Sequence, residues 1–395
     1  MPSHRHQPRR FHSLHSRPRR AGLLLGLMIA LFALPGLRDG VSRPLVTWQT
    51  PDPALSLAFS ADGTVLAVGG DGLLQLYNTP PLETDAASAS AAGASSRPPH
   101  LGQLRVPGCT LRDFAFAGRS LSVYGRRRDC AGRSTAAPTG SVNLRPGPNR
   151  LALYDLATGT LAATPGPHRG ELGAVRVHRS GQTMASASVD GLVRFWQRGG
   201  SSPQLTRSLR LPAITAPRRL SRPIAFAPDL DLLAVHDWRD YYVAILEIES
   251  GRVLHRSEYP FRAIAQPLFV FSPDGNRYFD GHRVRRSRSG EPVASIPFSF
   301  GAGEPPPGRA AFASDGQSLA VVYGSANGTA LSRVRGFALG APAGAGSSQD
   351  DTGAGRLIAE YALSEALRSL AWHPDPPQKI LAVGAYSGRV FLYRP

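Results

Sequence analysis

Ser188, Asp190 and His168 are the three residue types of a nucleophilic triad, in which an imidazole takes the serine proton while a carboxylate orients the imidazole. Their spacing argues against that chemistry. Ser188 and Asp190 lie two apart, on one strand and its turn, and no G-x-S-x-G elbow lifts a serine out of a sheet edge. His4, His6, His12 and His15 offer neutral imidazoles for a transition metal, but they sit in a basic N-terminal tail with no fixed geometry, so no metal site is expected. No phosphate loop, zinc-protease helix or nucleotide fingerprint occurs, and no cofactor is expected. Cys109 and Cys130 show neither metal-ligand spacing nor a C-x-x-C motif. In an oxidising compartment they can pair, closing a loop worth on the order of 3 kcal/mol; two buried thiols are the other reading.

The most concentrated charge is HRVRRSRSG, His282 to Gly290. On a strand Arg283 and Arg285 face one side and Arg286 and Arg288 the other, so part of this charge is either partnered or exposed. Two readings follow: a patch for an anionic partner, joined by Arg126, Arg127 and Arg128 if the fold brings them to one face, or a solvated outer strand. The formal charge of +17 includes six arginines that precede a hydrophobic segment, leaving +11 on the rest. Lys379 is the only lysine, a skew that reads as codon bias more than as a selected nucleic-acid surface, so nucleic acid is not an expected partner.

That segment, Ala21 to Leu37, is uncharged over 17 residues and follows an Arg-rich stretch without acids. This is the layout of a signal peptide or transmembrane anchor, at the lower limit of length for spanning a bilayer. We therefore expect residues 1–20 to be a basic cytoplasmic tail, residues 21–37 a hydrophobic helix that contacts the membrane, and residues 45–395 an extracytoplasmic domain, anchored or secreted.

The elements that position these residues announce themselves by repetition. A short apolar strand, a polar turn and a second apolar strand first appear as LSLAFSADGTVLAVGG from Leu55, and the pattern returns from Leu111, Leu172, Arg222, Pro267, Arg309 and Arg368. The last apolar residues of the first strands are Phe59, Phe116, Val177, Phe226, Phe271, Phe312 and Trp372, separated by 57, 61, 49, 45, 41 and 60 residues. The longer intervals hold Ala/Ser-rich or Gly-rich insertions, which read as surface loops because the repeat resumes after each. Asp62-Gly63, Asp274-Gly275 and Asp315-Gly316 fall between the first and second strands, Asp190-Gly191 and Ser387-Gly388 between the second and third, and Ser250-Gly251 and Ser289-Gly290 after the third. Three hairpins per unit define a four-stranded antiparallel blade. The last unit stops after its third strand, at FLYRP, and LVTWQT (45–50) is placed to supply the fourth. The expected fold is an all-β, seven-bladed β-propeller of four-stranded antiparallel blades, preceded by one N-terminal hydrophobic helix.

The stretch LGAVRVHRSGQTMASASVDGLVRFWQ, from Leu172, resembles a WD40 repeat, and the shorter repeat intervals agree with the roughly 40 to 45 residues of such a blade. The resemblance implies that His168, Ser188, Asp190 and Trp196 form the family's structural tetrad, a buried set of polar groups that satisfy one another. Other units are degenerate: Tyr77, Tyr154 and Tyr393 stand near the tryptophan position. The implied function is a non-enzymatic scaffold binding other proteins through its loop faces. The alternative is an exported propeller enzyme, a hydrolase or dehydrogenase with its site in the channel mouth. That would need convergent His or carboxylates at equivalent turns, and none recur.

Overall fold

The computed structural model describes residues 44–79, 98–117, 120–125, 152–155, 161–163, 168–170, 172–178, 180–197, 203–211, 221–237, 242–258, 268–297, 307–324, 332–339 and 355–395. Here the apolar runs bounded by glycine turns become 27 strands, with no α-helix among the described residues. The expected N-terminal helix at 21–37, the basic tail, Cys130 and Arg126 to Arg128 lie outside them. No helix among the described residues is long and apolar enough to cross a membrane.

Strand β1 (Val46–Gln49) precedes a seven-stranded sheet of β2 (Ser56–Phe59), β3 (Val65–Gly69), β4 (Asp71–Asn78), β5 (His100–Ala117), β6 (Ser120–Gly125), β7 (Ala152–Asp155) and β8 (Leu161–Ala163). Four-stranded sheets follow in chain order. They are β9 (Leu172–Val177), β10 (Thr183–Ser188), β11 (Leu192–Gln197) and β12 (Gln204–Arg210); β13 (Ser221–Phe226), β14 (Leu232–Asp237), β15 (Tyr242–Glu247) and β16 (Val253–Glu258); β17 (Val270–Phe271), β18 (Arg277–Phe279), β19 (Arg283–Arg286) and β20 (Pro292–Ser295); and β21 (Pro307–Phe312), β22 (Ser318–Tyr323), β23 (Ser332–Ala338) and β24 (Arg356–Leu363). The last sheet is β25 (Leu367–Trp372), β26 (Leu381–Ala385) and β27 (Arg389–Tyr393), completed by β1.

The expectation of seven separate blades is corrected by this topology. Among the described residues the hydrogen-bonded sheets number six, so the propeller is six-bladed by its sheets. The units around Phe59 and Phe116 are not separate, because β5 is 18 residues long and stays extended through its middle. Its first half pairs with β4 (Gln75↔Gln103, Asp71↔Thr110) and its second half with β6 (Leu111↔Gly125, Phe116↔Leu121). The outer strand of one unit thus runs straight into the inner strand of the next.

Closure follows the sequence expectation. β1 is antiparallel to β27 with Thr47 opposite Phe391, and Leu45 N and Thr50 N donate to Leu392 O and Gly388 O. The inner strands β25 and β2 are in contact, which joins the last sheet to the first.

The core lies in the seams between neighbouring sheets. Central strands such as β14 and β26 are buried along their length because both faces are covered, whereas the outer strand β12 is almost wholly exposed. Between β9–β12 and β13–β16 the seam is filled by Ala185, Val193, Phe226, Leu233 and Leu246; between the last sheet and the first, by Trp48, Leu66, Tyr77, Ala382 and Leu392. Each apolar side chain buried in this way contributes roughly 1.5–3 kcal/mol.

Candidate functional site

Strand alternation puts Met184, Ser186 and Ser188 on one face of β10, and the register sets Met184 opposite Trp196 on β11. Gly191, at φ 80°, makes the turn between these strands and leaves Asp190 at its head. His168 stands just before β9. From these places four side chains converge. Trp196 Nε1 donates to Ser186 Oγ at 3.0 Å, Ser186 Oγ and His168 Nε2 are 2.8 Å apart, and His168 Nδ1 is 3.3 Å from Asp190 Oδ2. Asp190 also accepts the backbone N–H groups of Arg169 (2.8 Å) and Leu192 (3.0 Å). One arrangement of protons satisfies the chain: the Nδ1–H of His168 donates to Asp190, its Nε2 accepts the Ser186 hydroxyl, and Ser186 accepts from Trp196.

Burial alone pushes the Asp190 carboxyl up. The hydrogen bond from His168, the Leu192 and Arg169 amides and the attraction of the His168 charge prevail, holding it down at about 2.

The hydroxyl in this chain is that of Ser186. Ser188 Oγ accepts a single bond from Asp190 N at 3.2 Å and touches neither His168 nor Trp196. Asp190, His168 and Ser186 therefore stand in the order of a hydrolytic triad, but the geometry cannot perform hydrolysis. Ser186 and Trp196 are 0% and 1% exposed, so no carbonyl can reach the oxygen. The network is a structural clamp between adjacent strands.

Register shows how the other sheets differ. The residue equivalent to Ser186 lies two beyond the second-strand residue that faces both neighbours: Leu66, Leu121, Leu233, Leu319 and Leu381 elsewhere. It is Val68, Val123, Val235, Val321 and Val383 in those units, and Asp280 on the sheet of β17–β20. In the latter the residue opposite Tyr278 is Arg285, where the other sheet has Trp196. Arg285 Nε donates to Asp280 Oδ2 at 2.7 Å, while the amides of His282 and Arg283 bind Oδ1 at 3.0 and 2.7 Å.

The four arginines of the expected anionic-partner patch are thus divided. Arg285 is half-buried against Asp280. Arg288 reaches Asp231 (2.6 Å) and Glu247 (3.3 Å), and the exposed Arg286 lies 3.7 Å from Glu291. Arg283 is exposed on β19. Cys109 falls in β5 near the point where that strand passes from one unit to the next. Among the described residues no group of three His, Cys, Asp or Glu side chains is arranged to hold a metal.

The family model of the WD domain, G-beta repeat, matches residues 42–78 and 159–197, the second containing the whole clamp. These two segments are similar to WD40 repeats. No curated protein matches the chain. Among solved structures it is similar to a chain in the crystal structure of the mitotic checkpoint complex, with 14% identity, coverage of 92% of this chain and 98% of that one, and a TM-score of 0.58. At that identity the likeness establishes the fold.

Proposed function

We propose that this WD40 propeller is a non-enzymatic scaffold that binds other proteins through the turns at the ends of its sheets, and that residues 21–37 export it or anchor it with the propeller on the extracytoplasmic side. The observation that carries the first part is the burial of Ser186 within the His168–Asp190–Trp196 clamp, which spends the one triad-like constellation on structure. What remains at the sheet ends is chemistry for contact. Tyr386 is 53% exposed in the turn before β27, with the Arg368 guanidinium 5.4 Å from its ring centre, and aromatic and arginine side chains dominate binding energy at protein interfaces. The similar chain of the mitotic checkpoint complex also belongs to a protein assembly.

Cross-linking in intact cells, followed by purification from solubilised membranes, tests the scaffold. A stoichiometric protein partner, reduced by Tyr386→Ala in a variant that still melts cooperatively, is the expected result; labelling of Ser186 by a fluorophosphonate would overturn it. Protease protection in spheroplasts tests the topology, which requires the propeller to be digested from outside.

A further inference from the structure

The outer strand of each four-stranded sheet is an unpaired edge, and β12 is the most open of them. It lies at the end of the sheet it forms with β11, β10 and β9 and has no buried residue, whereas β1, β16, β20 and β24 each bury at least one. The outward N–H and C=O groups of such an edge are a template for another extended chain. The register against β11 shifts at Thr206, so Arg207 to Arg210 form the regular end, paired with Phe195 to Leu192.

Charge at that end is one-sided. Arg207 is held by Glu249 through two bonds, of 2.6 and 2.8 Å. Arg210 and Arg169 are both exposed, and neither enters an ion pair among the described residues. The two flank one turn, since Arg169 N donates to Asp190 Oδ2 at 2.8 Å and Leu211 N donates to Gly191 O at 2.9 Å. Asp190 offers them no free counter-charge, because its carboxylate is only 10% exposed and already meets His168 and the Arg169 and Leu192 amides. The turn is also fixed in place: a Cβ on Gly170 would come within 2.8 Å of Asp190 N and 3.0 Å of Ser188 Oγ.

The corresponding corner of the last sheet is built differently. Gln49 stands there in the place of Arg210, paired with the residue that follows the turn glycine, and its Nε2 donates to Ser387 O at 2.6 Å. Glu365 meets Arg389 at 2.8 Å beside the same turn. In that sheet the side chains close the turn on itself, whereas at β12 two guanidinium groups are left over beside an open strand edge.

We propose that the β12 edge receives an extended acidic segment of a partner protein, added as a fifth strand, with main-chain bonds to β12 and carboxylates against Arg210 and Arg169. The inference rests on the scaffold reading above but uses the side of one sheet, apart from the turn that carries Tyr386. A second copy of β12 is a poor occupant, because antiparallel pairing centred on Arg207 sets arginine against arginine.

The test uses the full chain in detergent and a fluorescent octapeptide of alternating threonine and glutamate, read by anisotropy at low ionic strength. Two further probes run in parallel: the same peptide with lysine in place of glutamate, and the acidic peptide N-methylated at every residue, which keeps its charge and cannot pair with a strand. Arg210→Gln is expected to weaken binding of the acidic peptide roughly tenfold and Arg169→Gln several-fold, and N-methylation to abolish it. Arg356→Gln, which removes the same charge from the exposed start of β24, is expected to leave it unchanged. Equal losses for Arg210→Gln and Arg356→Gln, or undiminished binding of the N-methylated peptide, would mean charge attraction alone and overturn the site. So would binding of the lysine peptide as tight as that of the acidic one, or no binding of the acidic peptide at all. None of these outcomes alters the cross-linking result at Tyr386, so the scaffold reading and the β12 site fail separately.

Discussion

Arg285 occupies in its sheet the position that Trp196 occupies on β11: each is paired across the strands with the second-strand residue that also faces the inner strand, Tyr278 in one case and Met184 in the other. Each is bonded to the side chain two residues further along that second strand, Asp280 at 2.7 Å and Ser186 at 3.0 Å. The same strand-to-strand clamp is built once from neutral groups and once from an ion pair, and at the equivalent position the buried Val68, Val235, Val321 and Val383 replace it with apolar packing.

Ser186→Ala removes the atom shared by His168 and Trp196 and leaves two buried polar groups unpaired. The expected loss is about 2–3 kcal/mol in denaturant unfolding. Ser188→Ala, which deletes one acceptor of a backbone amide, is expected to cost under about 1 kcal/mol. A larger loss at Ser188 than at Ser186 would show that the clamp is mis-assigned.

The ion-pair version is testable by double substitution. Asp280→Val alone strands a half-buried guanidinium and is expected to destabilise by about 3–5 kcal/mol. The double variant Asp280→Val/Arg285→Leu reproduces the Val235 and Leu246 of the preceding sheet. It should regain most of that stability, short of it by the two amides that lose their acceptor. Additive losses from the two substitutions would mean that the residues do not act as a pair.

Two strongly shifted groups contribute to the acid limb of stability. Burial lowers His236 to about 4 from an ordinary value near 6.5, against a smaller opposing pull from Asp237. Its contribution is therefore complete above pH 6.5 and is lost as pH falls through 4, on the order of 3 kcal/mol. Asp190, held at about 2, adds a loss of roughly 2 kcal/mol between about pH 4 and pH 2. In urea titrations from pH 7 to 4, His236→Leu should flatten the slope below pH 6.5 whatever its stability at neutrality; an unchanged slope would assign the acid sensitivity elsewhere.

Much of this was legible in the residues because turn chemistry is local. The Asp-Gly and Ser-Gly pairs predicted as hairpins carry glycines at positive φ, among them Gly63 (74°), Gly275 (74°) and Gly388 (89°), which the reversal between tight strands demands. Two features were not legible. Ser186 and Ser188 share one face of a strand, so period-two reasoning cannot choose between them; only the reach of His168 across the sheet does. The fusion of two units through β5 was hidden because the repeat pattern marks where each unit begins but not whether the chain reverses between units, and here the backbone remains extended while Thr110 still pairs with Asp71. For HRVRRSRSG the sequence left two readings, an anionic-partner patch or a solvated outer strand, and only tertiary structure reveals that Arg285 and Arg288 answer Asp280 and Asp231.

Ring closure depends on a strand more than 300 residues from its partner, and this has a measurable consequence. β1 covers the edge of β27 and delivers Trp48, 2% exposed, into the seam with Leu66 and Tyr77; Gln49 Nε2 and Thr50 Oγ1 donate to the carbonyls of Ser387 and Gly388 at 2.6 and 2.7 Å. Deleting residues 45–50 exposes both a strand edge and an aromatic seam, so the cooperative thermal transition is expected to disappear and aggregation to rise. Trp48→Ala keeps the backbone pairing and removes only the seam contact, for an expected cost of about 3–5 kcal/mol with cooperativity retained. A deletion variant that melts like the full chain would show that the ring holds without β1, and the seams between sheets would then have to carry closure alone.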